Sequence, residues 1–256
     1  MVICLFQFES RVFIRYAWMI YPSGLRFQQV HVGERKMDII IGGGKYGCHA
    51  IEYLRQKEKG FAVVDPDPNC LAVKRFGLKT SDHIDSKGGY FVNGGLPEVL
   101  KLIESLKPEY VFPTAPVHVA ADLAKLKFEL APWSEAITTI LSKLPEVVVL
   151  QAGRGRLVVS FNRDHDCVEE CAMPKVCPSS RIRKPCTMTE LMRFASPEAF
   201  ILISYSMAPG MGALKGSELL EFFSWAKTKA KFIVATACDC HGVFTAFQKK
   251  SSKAKE

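Results

Sequence analysis

The stretch DIIIGGGKYGCHAIEYLRQKEKGFAVVDPDP, residues 38–68, decides the fold of this chain. It opens on a short apolar run, which predicts a strand buried on both faces, and a glycine-rich turn follows. Apolar residues at helical spacing come next, as far as Gly60, and a second strand over residues 61–64 leads to Asp65. The order of strand, glycine turn, helix and strand predicts one unit of a parallel sheet.

The glycine turn has the spacing of a dinucleotide-binding loop, G-x-G-x-x-G. Gly42 permits the tight turn, Gly44 lets the backbone approach a pyrophosphate, and Gly47 lets the helix pack on the strand. The start of the helix would direct free N–H groups and the positive end of its dipole at the phosphates. These residues predict dinucleotide binding, and a glycine turn in an ordinary α/β protein is the alternative.

Asp65 predicts which dinucleotide is bound. It lies about 20 residues beyond the glycine loop, at the end of the second strand, where a carboxylate can accept hydrogen bonds from both ribose hydroxyls. The same carboxylate would repel a 2′-phosphate, which favours NAD(H) over NADP(H), although Lys45 could reach a phosphate. The expected cofactor contacts are Gly42, Gly44, Lys45, Tyr46, Gly47 and Asp65.

The region that follows continues the alternation of helices and strands. Helices are predicted over residues 67–77, 94–107 and 117–128, and a strand over residues 108–116. The glycine loop and the stretch VVDPDPNCLAV, residues 63–73, resemble the NAD-binding domain of TrkA-type potassium-transport regulators, the RCK family. They are also similar to the NAD domain of precorrin-2 dehydrogenases in siroheme synthesis. The resemblance covers residues 37–125 and implies NAD(H) at Gly42, Gly44, Gly47 and Asp65.

A cysteine cluster, CVEECAMPKVCPSSRIRKPC, occupies residues 167–186 and belongs to neither family in its usual form. Its spacing, C-x3-C-x5-C-x8-C, contains none of the C-x2-C pairs that zinc ribbons favour. Wider spacing suits a larger object than one tetrahedral ion, and four thiolates are what a [4Fe–4S] cluster needs. We therefore expect an iron–sulfur cluster at Cys167, Cys171, Cys177 and Cys186.

Alternatives to that cluster remain open. Structural zinc, unligated thiols and a disulfide pair would each account for the same cysteines. Three residues just upstream could replace or supplement a ligand: Asp164, His165 and Asp166.

CDCHG, residues 238–242, is a second candidate site, because it follows a predicted strand over residues 231–237. Cys238, Cys240 and His241 could complete a metal site, act as a redox pair or bind a second ion. Buried, unligated thiols are the alternative. Sequence leaves open whether the two cysteine groups form one site.

Two further motifs favour structural roles. His118 follows the predicted strand near the edge where ligands gather, which makes it a weak catalytic candidate, and capping or packing is the alternative. The stretch APGMGALKGS, residues 208–217, predicts a tight strand-to-helix turn with Ser217 as N-cap, and a phosphate-cradling loop is the alternative. Its order Lys-Gly-Ser departs from a Walker loop, so ATP hydrolysis is not supported.

The predicted fold class is α/β: a Rossmann-like parallel-sheet domain followed by a smaller α/β domain with a cysteine-rich metal loop. Residues 1–36 show no sustained periodicity and stand before Met37, so we interpret them as a non-native extension, with a genuine flexible extension as the alternative. The remaining divisions are a Rossmann domain over residues 37–130, a cysteine-rich domain over residues 131–248 and a basic disordered tail over residues 249–256.

Composition narrows the function further. With 48% apolar residues among 256, the chain can form a packed core. The net charge of +8 includes +3 in residues 1–36 and +3 in residues 249–256, so the body lacks the basic stripe of a nucleic-acid binder. No apolar run reaches the ~18 residues of a membrane span. We recognise no signal peptide, so nine cysteines indicate metal or redox chemistry in the cytoplasm.

The sequence therefore predicts an NAD(H)-binding redox protein with an iron–sulfur cluster, which as an enzyme would be an NAD-dependent oxidoreductase. One alternative is an NAD-sensing regulator of the TrkA/RCK kind with a structural or sensory metal site. The other is a siroheme-type precorrin dehydrogenase. Expected partners are a small-molecule or protein redox partner and a second copy of the chain, and we expect no nucleic acid.

Overall fold

The protein is represented by a computed structural model, which describes residues 14–21, 24–31, 36–80 and 88–250. The chain forms two compact units, Met1–Lys36 and Met37–Glu256. In the first unit, strands β1 (Ile14–Tyr21) and β2 (Gly24–His31) form an antiparallel pair that the sequence did not indicate. The interpretation of this segment as a non-native extension stays a prediction.

The second unit is a mixed α/β structure, in which the described residues form seven helices and two mixed sheets. Its helices are α1 (Lys45–Gln56), α2 (Leu71–Phe76), α3 (Leu96–Leu106), α4 (Val119–Lys127), α5 (Ser134–Leu141), α6 (Met188–Ala195) and α7 (Gly216–Lys227). Its strands are β3 (Asp38–Ile41), β4 (Phe61–Asp65), β5 (Lys79–Thr80), β6 (Gly89–Asn93), β7 (Tyr110–Pro113), β8 (Leu130–Pro132), β9 (Val149–Gly153), β10 (Arg156–Ser160), β11 (Phe200–Ile203), β12 (Tyr205–Ala208), β13 (Met211–Lys215), β14 (Lys231–Ala237) and β15 (His241–Lys249). None of the helices in the described ranges combines the length and apolar character needed to cross a membrane.

The first sheet has the strand order β12–β13–β7–β3–β4–β6–β5. Its five strands from β7 to β5 run parallel, and the strand predicted over residues 38–41 is buried along its whole length, as a strand with helices on both faces requires. The hairpin β12–β13 adds two antiparallel strands at the β7 edge, where Leu214 pairs with Val111. The sheet is therefore mixed, whereas the sequence predicted a parallel one.

The hairpin also corrects the prediction for residues 208–217. Most of this stretch is the second half of a hairpin, and β13 then leads directly into α7. The N-cap of α7 is Lys215, so Ser217, the predicted cap, lies inside the first turn of the helix. Local pattern indicated a turn here, but the pairing of β13 with a strand about 100 residues earlier is a long-range contact that such a pattern does not contain.

The second sheet has the order β11–β14–β15–β10–β9, with β8 paired to β15. Only β11 and β14 run parallel; the other pairs in this sheet are antiparallel. The long strand β15 was not predicted, although HGVFTAFQK alternates in burial as a strand should. Because β14 and β15 pair as far as Ala237 and Gly242, residues 238–240 form the turn of a hairpin.

One apolar core joins the two sheets. It contains Ile39 and Val111 from the first sheet, Phe222 from α7, and Val234 and Phe247 from the second sheet. The predicted division at residues 130 and 131 stays a prediction, but the strands on either side of it share this core. The predicted disordered tail begins inside β15 at Lys249, and from residue 251 on it lies outside the described residues.

Candidate functional site

The glycine loop connects β3 to α1. Gly42 has φ of +105°, a conformation that side chains disfavour, and its carbonyl oxygen would lie only 2.1 Å from a Cβ placed on Gly47. A Cβ on Gly44 would meet no atom within 4 Å. Gly42 and Gly47 are therefore needed by the fold, whereas the absence of a side chain at Gly44 leaves open space in front of the loop.

The carboxylate of Asp65 holds this loop in place. Its Oδ2 accepts a hydrogen bond of 2.6 Å from the backbone N–H of Gly43, and its Oδ1 accepts one of 2.8 Å from the N–H of Asp67. A carboxylate offers about four acceptor positions, so two remain for other donors. Asp65 thus lies beside the glycine loop at the end of β4, where the sequence predicted it.

The cysteine loop, residues 161–187, runs from the end of β10 to the N-cap of α6. Several backbone hydrogen bonds fix it, among them Cys177 N–H to the carbonyl of Ile182 (2.9 Å) and Gly210 N–H to the carbonyl of Cys171 (2.9 Å). Three residues that are not glycine have left-handed backbone conformations: Glu170, Met173 and Arg181. Such conformations persist where surrounding contacts enforce them, and they cluster at functional sites.

A cavity of about 280 Å³ lies between the cysteine loop, the β14–β15 turn, the β12–β13 hairpin and the start of α1. The five thiols in its lining come from both cysteine groups: Cys167, Cys171, Cys177, Cys238 and Cys240. His241 and Tyr46 line the same cavity. The structure therefore brings the two predicted cysteine groups to one site.

Cys186 is not among the residues that line the cavity, and neither are Asp164, His165 and Asp166. Three of the four cysteines predicted as ligands are thus brought together, with two cysteines of the hairpin turn in addition. The predicted set of four placed Cys186 with the others on spacing alone. In the structure Cys186 directly precedes Thr187, whose side chain caps α6.

His241 lies between two of the thiols. Its Nε2 is 3.3 Å from Sγ of Cys167, which also accepts a hydrogen bond of 3.3 Å from the side-chain amide of Asn162. Its Nδ1 is 3.8 Å from Sγ of Cys238. Burial, and to a smaller extent the Lys184 ammonium, lowers the pKa of His241, which favours the neutral imidazole.

Lys184 is not part of the cavity lining, but it contacts two residues that are. Its Nζ donates hydrogen bonds to Sγ of Cys240 (3.1 Å) and to the carbonyl oxygen of Met173 (3.0 Å). Burial raises the pKa of the Cys240 thiol, and the hydrogen bond from Lys184 opposes that rise. For Cys177, burial also acts to raise the pKa, but hydrogen bonds from Ser180 and Ser179 outweigh it and lower the pKa below the ordinary thiol value.

The glycine loop and the cysteine loop are in direct contact. Lys45, the first residue of α1, forms an ion pair with Glu169 of the cysteine loop. Tyr46, the next residue, contributes to the cavity lining. A ligand on the glycine loop would therefore lie beside the thiols.

Comparison with known proteins shows that both regions belong to one family. Residues 37–119 match a family model described as AF_1314_N, "Uncharacterized protein, N-terminal domain", and residues 120–250 match AF_1314_C, "Uncharacterized protein, C-terminal domain". The chain belongs to the AF_1314 family. A relative from Archaeoglobus fulgidus, described as "Uncharacterized protein", is 47% identical over 215 residues, which are 83% of this chain and 100% of that protein. No solved structure matches the chain.

The AF_1314 boundary falls between residues 119 and 120, at the start of α4, so the glycine loop lies in the N-terminal match and the cavity cysteines in the C-terminal one. The cavity described above thus has walls from both matched regions, since Tyr46 belongs to the first.

In the part of the chain that the structure describes, the cavity of this AF_1314 protein does not present a ready set of ligands for one metal ion. Within the described ranges, no three side chains of His, Cys, Asp or Glu converge as ligands of a single metal ion. A lone tetrahedral zinc needs four ligands at about 2.0–2.3 Å from one point. Five thiols line the cavity of about 280 Å³, and whether they hold a metal centre stays a prediction.

His118 is not part of the cavity lining; it is the N-cap residue of α4, and its ring packs against the second sheet. It is buried, and its two ring nitrogens are 2.7 Å from Oγ1 of Thr245 and 3.1 Å from Oγ1 of Thr236. Burial, and secondarily the charge of Arg156, lowers the pKa of His118 to about 3. These contacts agree with the packing role that the sequence left as the alternative to catalysis.

Sequence reasoning missed Lys184 and Asn162. Both lie in or beside an irregular loop, where no periodic pattern indicates which polar side chains turn inward. Lys184 directly precedes Pro185 and Cys186, and the only available signal was a lysine embedded among cysteines.

Proposed function

We propose that this protein is an NAD(H)-binding redox protein whose cysteine-lined cavity holds an iron–sulfur cluster. One observation carries the proposal: Tyr46, from the first turn of the helix after the glycine loop, lines the same cavity as five cysteines. A dinucleotide on the loop and a metal centre in the cavity would then be neighbours.

The glycine loop supports the dinucleotide part of the proposal. It lies at the carboxyl ends of β3 and β7. Along the chain, β3 is followed first by β4, β5 and β6, which lie on one side of it in the sheet, and then by β7, which lies on the other side. In open α/β sheets such a reversal of strand order is where ligands bind, and this favours a Rossmann-like arrangement. Thr114, at the end of β7, donates its hydroxyl to the carbonyl oxygen of Gly42 (2.9 Å).

Asp65 supports NAD(H) rather than NADP(H). Its carboxylate lies at the end of β4 and keeps acceptor capacity beyond the two backbone N–H groups that it binds. A ribose could use that capacity, and a 2′-phosphate at the same place would meet a like charge.

The thiols support the iron–sulfur part. We assign the ligands to the four cavity cysteines that are buried or half-buried: Cys171, Cys177, Cys238 and Cys240. Cys167 also lines the cavity, but it is exposed and its sulfur lies beside His241 and Asn162. This set replaces the one predicted from spacing.

The chemistry requires a further redox partner. Bound NADH would supply a hydride, which carries two electrons, whereas one cluster accepts a single electron. A small molecule such as a flavin, or a protein carrier, would divide the pair. The contribution of the chain is to hold the dinucleotide beside the thiols and to enclose the centre, and a reducing cytoplasmic setting would keep the thiols free to ligate.

Anaerobic purification tests the proposal directly. We expect a brown protein with about four irons per chain, bleached by dithionite, that binds NADH more tightly than NADPH in calorimetry. A colourless protein that contains one zinc per chain would show that the cysteines bind a structural zinc ion and not an iron–sulfur cluster. A protein that contains iron but does not bind NADH would instead contradict the dinucleotide-binding part of the proposal.

An NAD-sensing regulator is the second candidate, and the ion pair between Lys45 and Glu169 favours it. A phosphate bound at the start of α1 would compete with Glu169 for Lys45. Loss of this ion pair would release the contact between α1 and the cysteine loop. A sensor would show a change in the visible spectrum on NADH binding with no consumption of NADH. A redox protein would oxidise NADH once an electron acceptor is added.

A further inference from the structure

Lys184 is a buried cation with an unusual set of partners. Its side chain is almost completely enclosed, with 6% of the residue exposed. Within the described ranges, no ion pair joins it to a carboxylate, and its Nζ contacts the carbonyl of Met173 and Sγ of Cys240 instead. The backbone N–H of Lys184 also bonds to the carbonyl of Lys175 (3.0 Å), which fixes the start of the side chain.

A buried ammonium is unfavourable unless negative charge lies nearby. The carbonyl of Met173 supplies a partial charge only, so of the two groups that Nζ contacts in the described part of the chain, the sulfur of Cys240 is the one that can carry a balancing charge. The cavity wall at this point therefore suits an electron-rich sulfur, such as a thiolate bound to a metal centre.

A donor to a ligating sulfur also has an effect on redox chemistry. An N–H···S hydrogen bond withdraws electron density from the sulfur, and a nearby positive charge stabilises the more negative, reduced form of a cluster. Both effects raise the reduction potential. Lys184 is held at two further points, Nζ by the carbonyl of Met173 and the backbone N–H by the carbonyl of Lys175, and these contacts orient its donor toward Cys240.

We infer that Lys184 is a positioning residue that sets the reduction potential of the metal centre by donating to Sγ of Cys240. The inference rests on the proposed iron–sulfur cluster and adds the residue that tunes it. Lys184 acts through Cys240 and does not contact the dinucleotide loop.

The test compares three substitutions with the wild-type protein, all purified anaerobically. Lys184→Met removes donor and charge, Lys184→Gln keeps N–H groups without the charge, and Lys184→Arg keeps both. Lys175→Met removes an exposed lysine of the same loop and serves as the control. Iron per chain and the midpoint potential in a spectroelectrochemical titration are measured for each.

We expect the potential to move to more negative values in Lys184→Met, by less in Lys184→Gln, and to stay near wild type in Lys184→Arg and Lys175→Met. A potential unchanged in every Lys184 variant that retains iron would overturn the inference while leaving the cluster intact. If Lys184→Met loses its iron, the Gln and Arg variants decide the question by the same criterion. Wild-type protein without iron would instead refute the proposed cluster, and this inference with it.

Discussion

Oδ2 of Asp65 accepts a hydrogen bond of 2.6 Å from the backbone N–H of Gly43, so the carboxylate at the end of β4 is joined directly to the loop that begins α1. This bond gives Asp65 two roles. It fixes the glycine loop through Gly43, and under the proposed function a ribose would use the acceptor capacity that remains on the carboxylate.

Substitution of Asp65 should therefore affect nucleotide choice. Asp65→Ala removes the charged acceptor, and we expect NADH affinity to fall by about 1–3 kcal/mol, the magnitude for hydrogen bonds to a charged group. The preference for NADH over NADPH should fall as well, because the charge that repels a 2′-phosphate is gone. Calorimetric titration measures both, and NADH affinity equal to wild type would exclude Asp65 from the binding site.

Two alanine substitutions in the glycine loop should separate folding from binding. Gly44→Ala meets no atom within 4 Å, so the free energy of unfolding should stay close to wild type while NADH binding is weakened. Gly47→Ala would place its Cβ 2.1 Å from the carbonyl oxygen of Gly42, and the resulting clash should lower the free energy of unfolding by about 1–3 kcal/mol. Denaturant unfolding measures the free energy of unfolding, and calorimetry measures NADH affinity, in both variants and in the wild-type protein. Normal NADH affinity in Gly44→Ala would argue that no pyrophosphate approaches this loop.

The cysteines should divide into two groups. Single serine substitutions of Cys171, Cys177, Cys238 or Cys240 should each reduce iron content sharply and destabilise the protein, because metal binding is coupled to the order of the loop. Cys186→Ser should keep wild-type iron, since Cys186 does not line the cavity. Loss of iron in Cys186→Ser with retention in Cys240→Ser would restore the ligand set predicted from spacing.

The contact between Lys45 and Glu169 should weaken NADH binding. Both side chains are largely exposed, so the pair contributes at most about 1 kcal/mol to stability. In Glu169→Gln, Lys45 is released toward the glycine loop, and NADH affinity should rise up to about fivefold. The neighbouring substitution Glu170→Gln, which breaks no ion pair among the described residues, is the control. Equal affinity in the two variants would show that Lys45 does not reach a phosphate.

Asp38 should make stability depend on pH. Burial raises its pKa from 3.8 to about 6, against the opposing effects of a hydrogen bond from Tyr110 N–H and the charge of Lys59. Between about pH 4 and pH 6 the folded protein retains this proton while the unfolded chain has released it, so the free energy of unfolding falls as pH rises, by about 2–3 kcal/mol in all.

Asp38→Asn should remove this component of the pH dependence. Urea unfolding at pH 4, 5, 6 and 7 measures it, with the exposed Asp67→Asn as the control. A pH profile that is the same in Asp38→Asn and in wild type would show that Asp38 ionises normally in the folded protein.

The sequence predicted the regular elements near the glycine loop well. The strand predicted over residues 38–41 is β3, and the one predicted over residues 61–64 is β4, which extends by one residue to Asp65. The helices predicted over residues 67–77, 94–107 and 117–128 are observed as the shorter helices α2, α3 and α4. These elements have strong local signals: buried apolar runs, helical periodicity and glycines where helices and strands end.

The candidate site could be predicted only in part, because it is assembled by long-range contacts. Spacing grouped Cys186 with the loop cysteines, whereas β14 and β15 bring Cys238 and Cys240 to the cavity instead. Strand β15 itself was not predicted, although residues 241–248 fall within the predicted cysteine-rich domain. Lys184 gave no signal, since the inward direction of a loop side chain depends on contacts across the whole fold.

The hairpin β12–β13 has a consequence for how the protein can be divided. It completes the edge of the first sheet beside β7, although it lies in the C-terminal matched region. A fragment that stops at residue 119 would leave the backbone of β7 as an open strand edge, and such edges recruit strands from other molecules and aggregate. Gene truncation at the apparent domain border should therefore yield insoluble material, and co-expression of the missing half should rescue it.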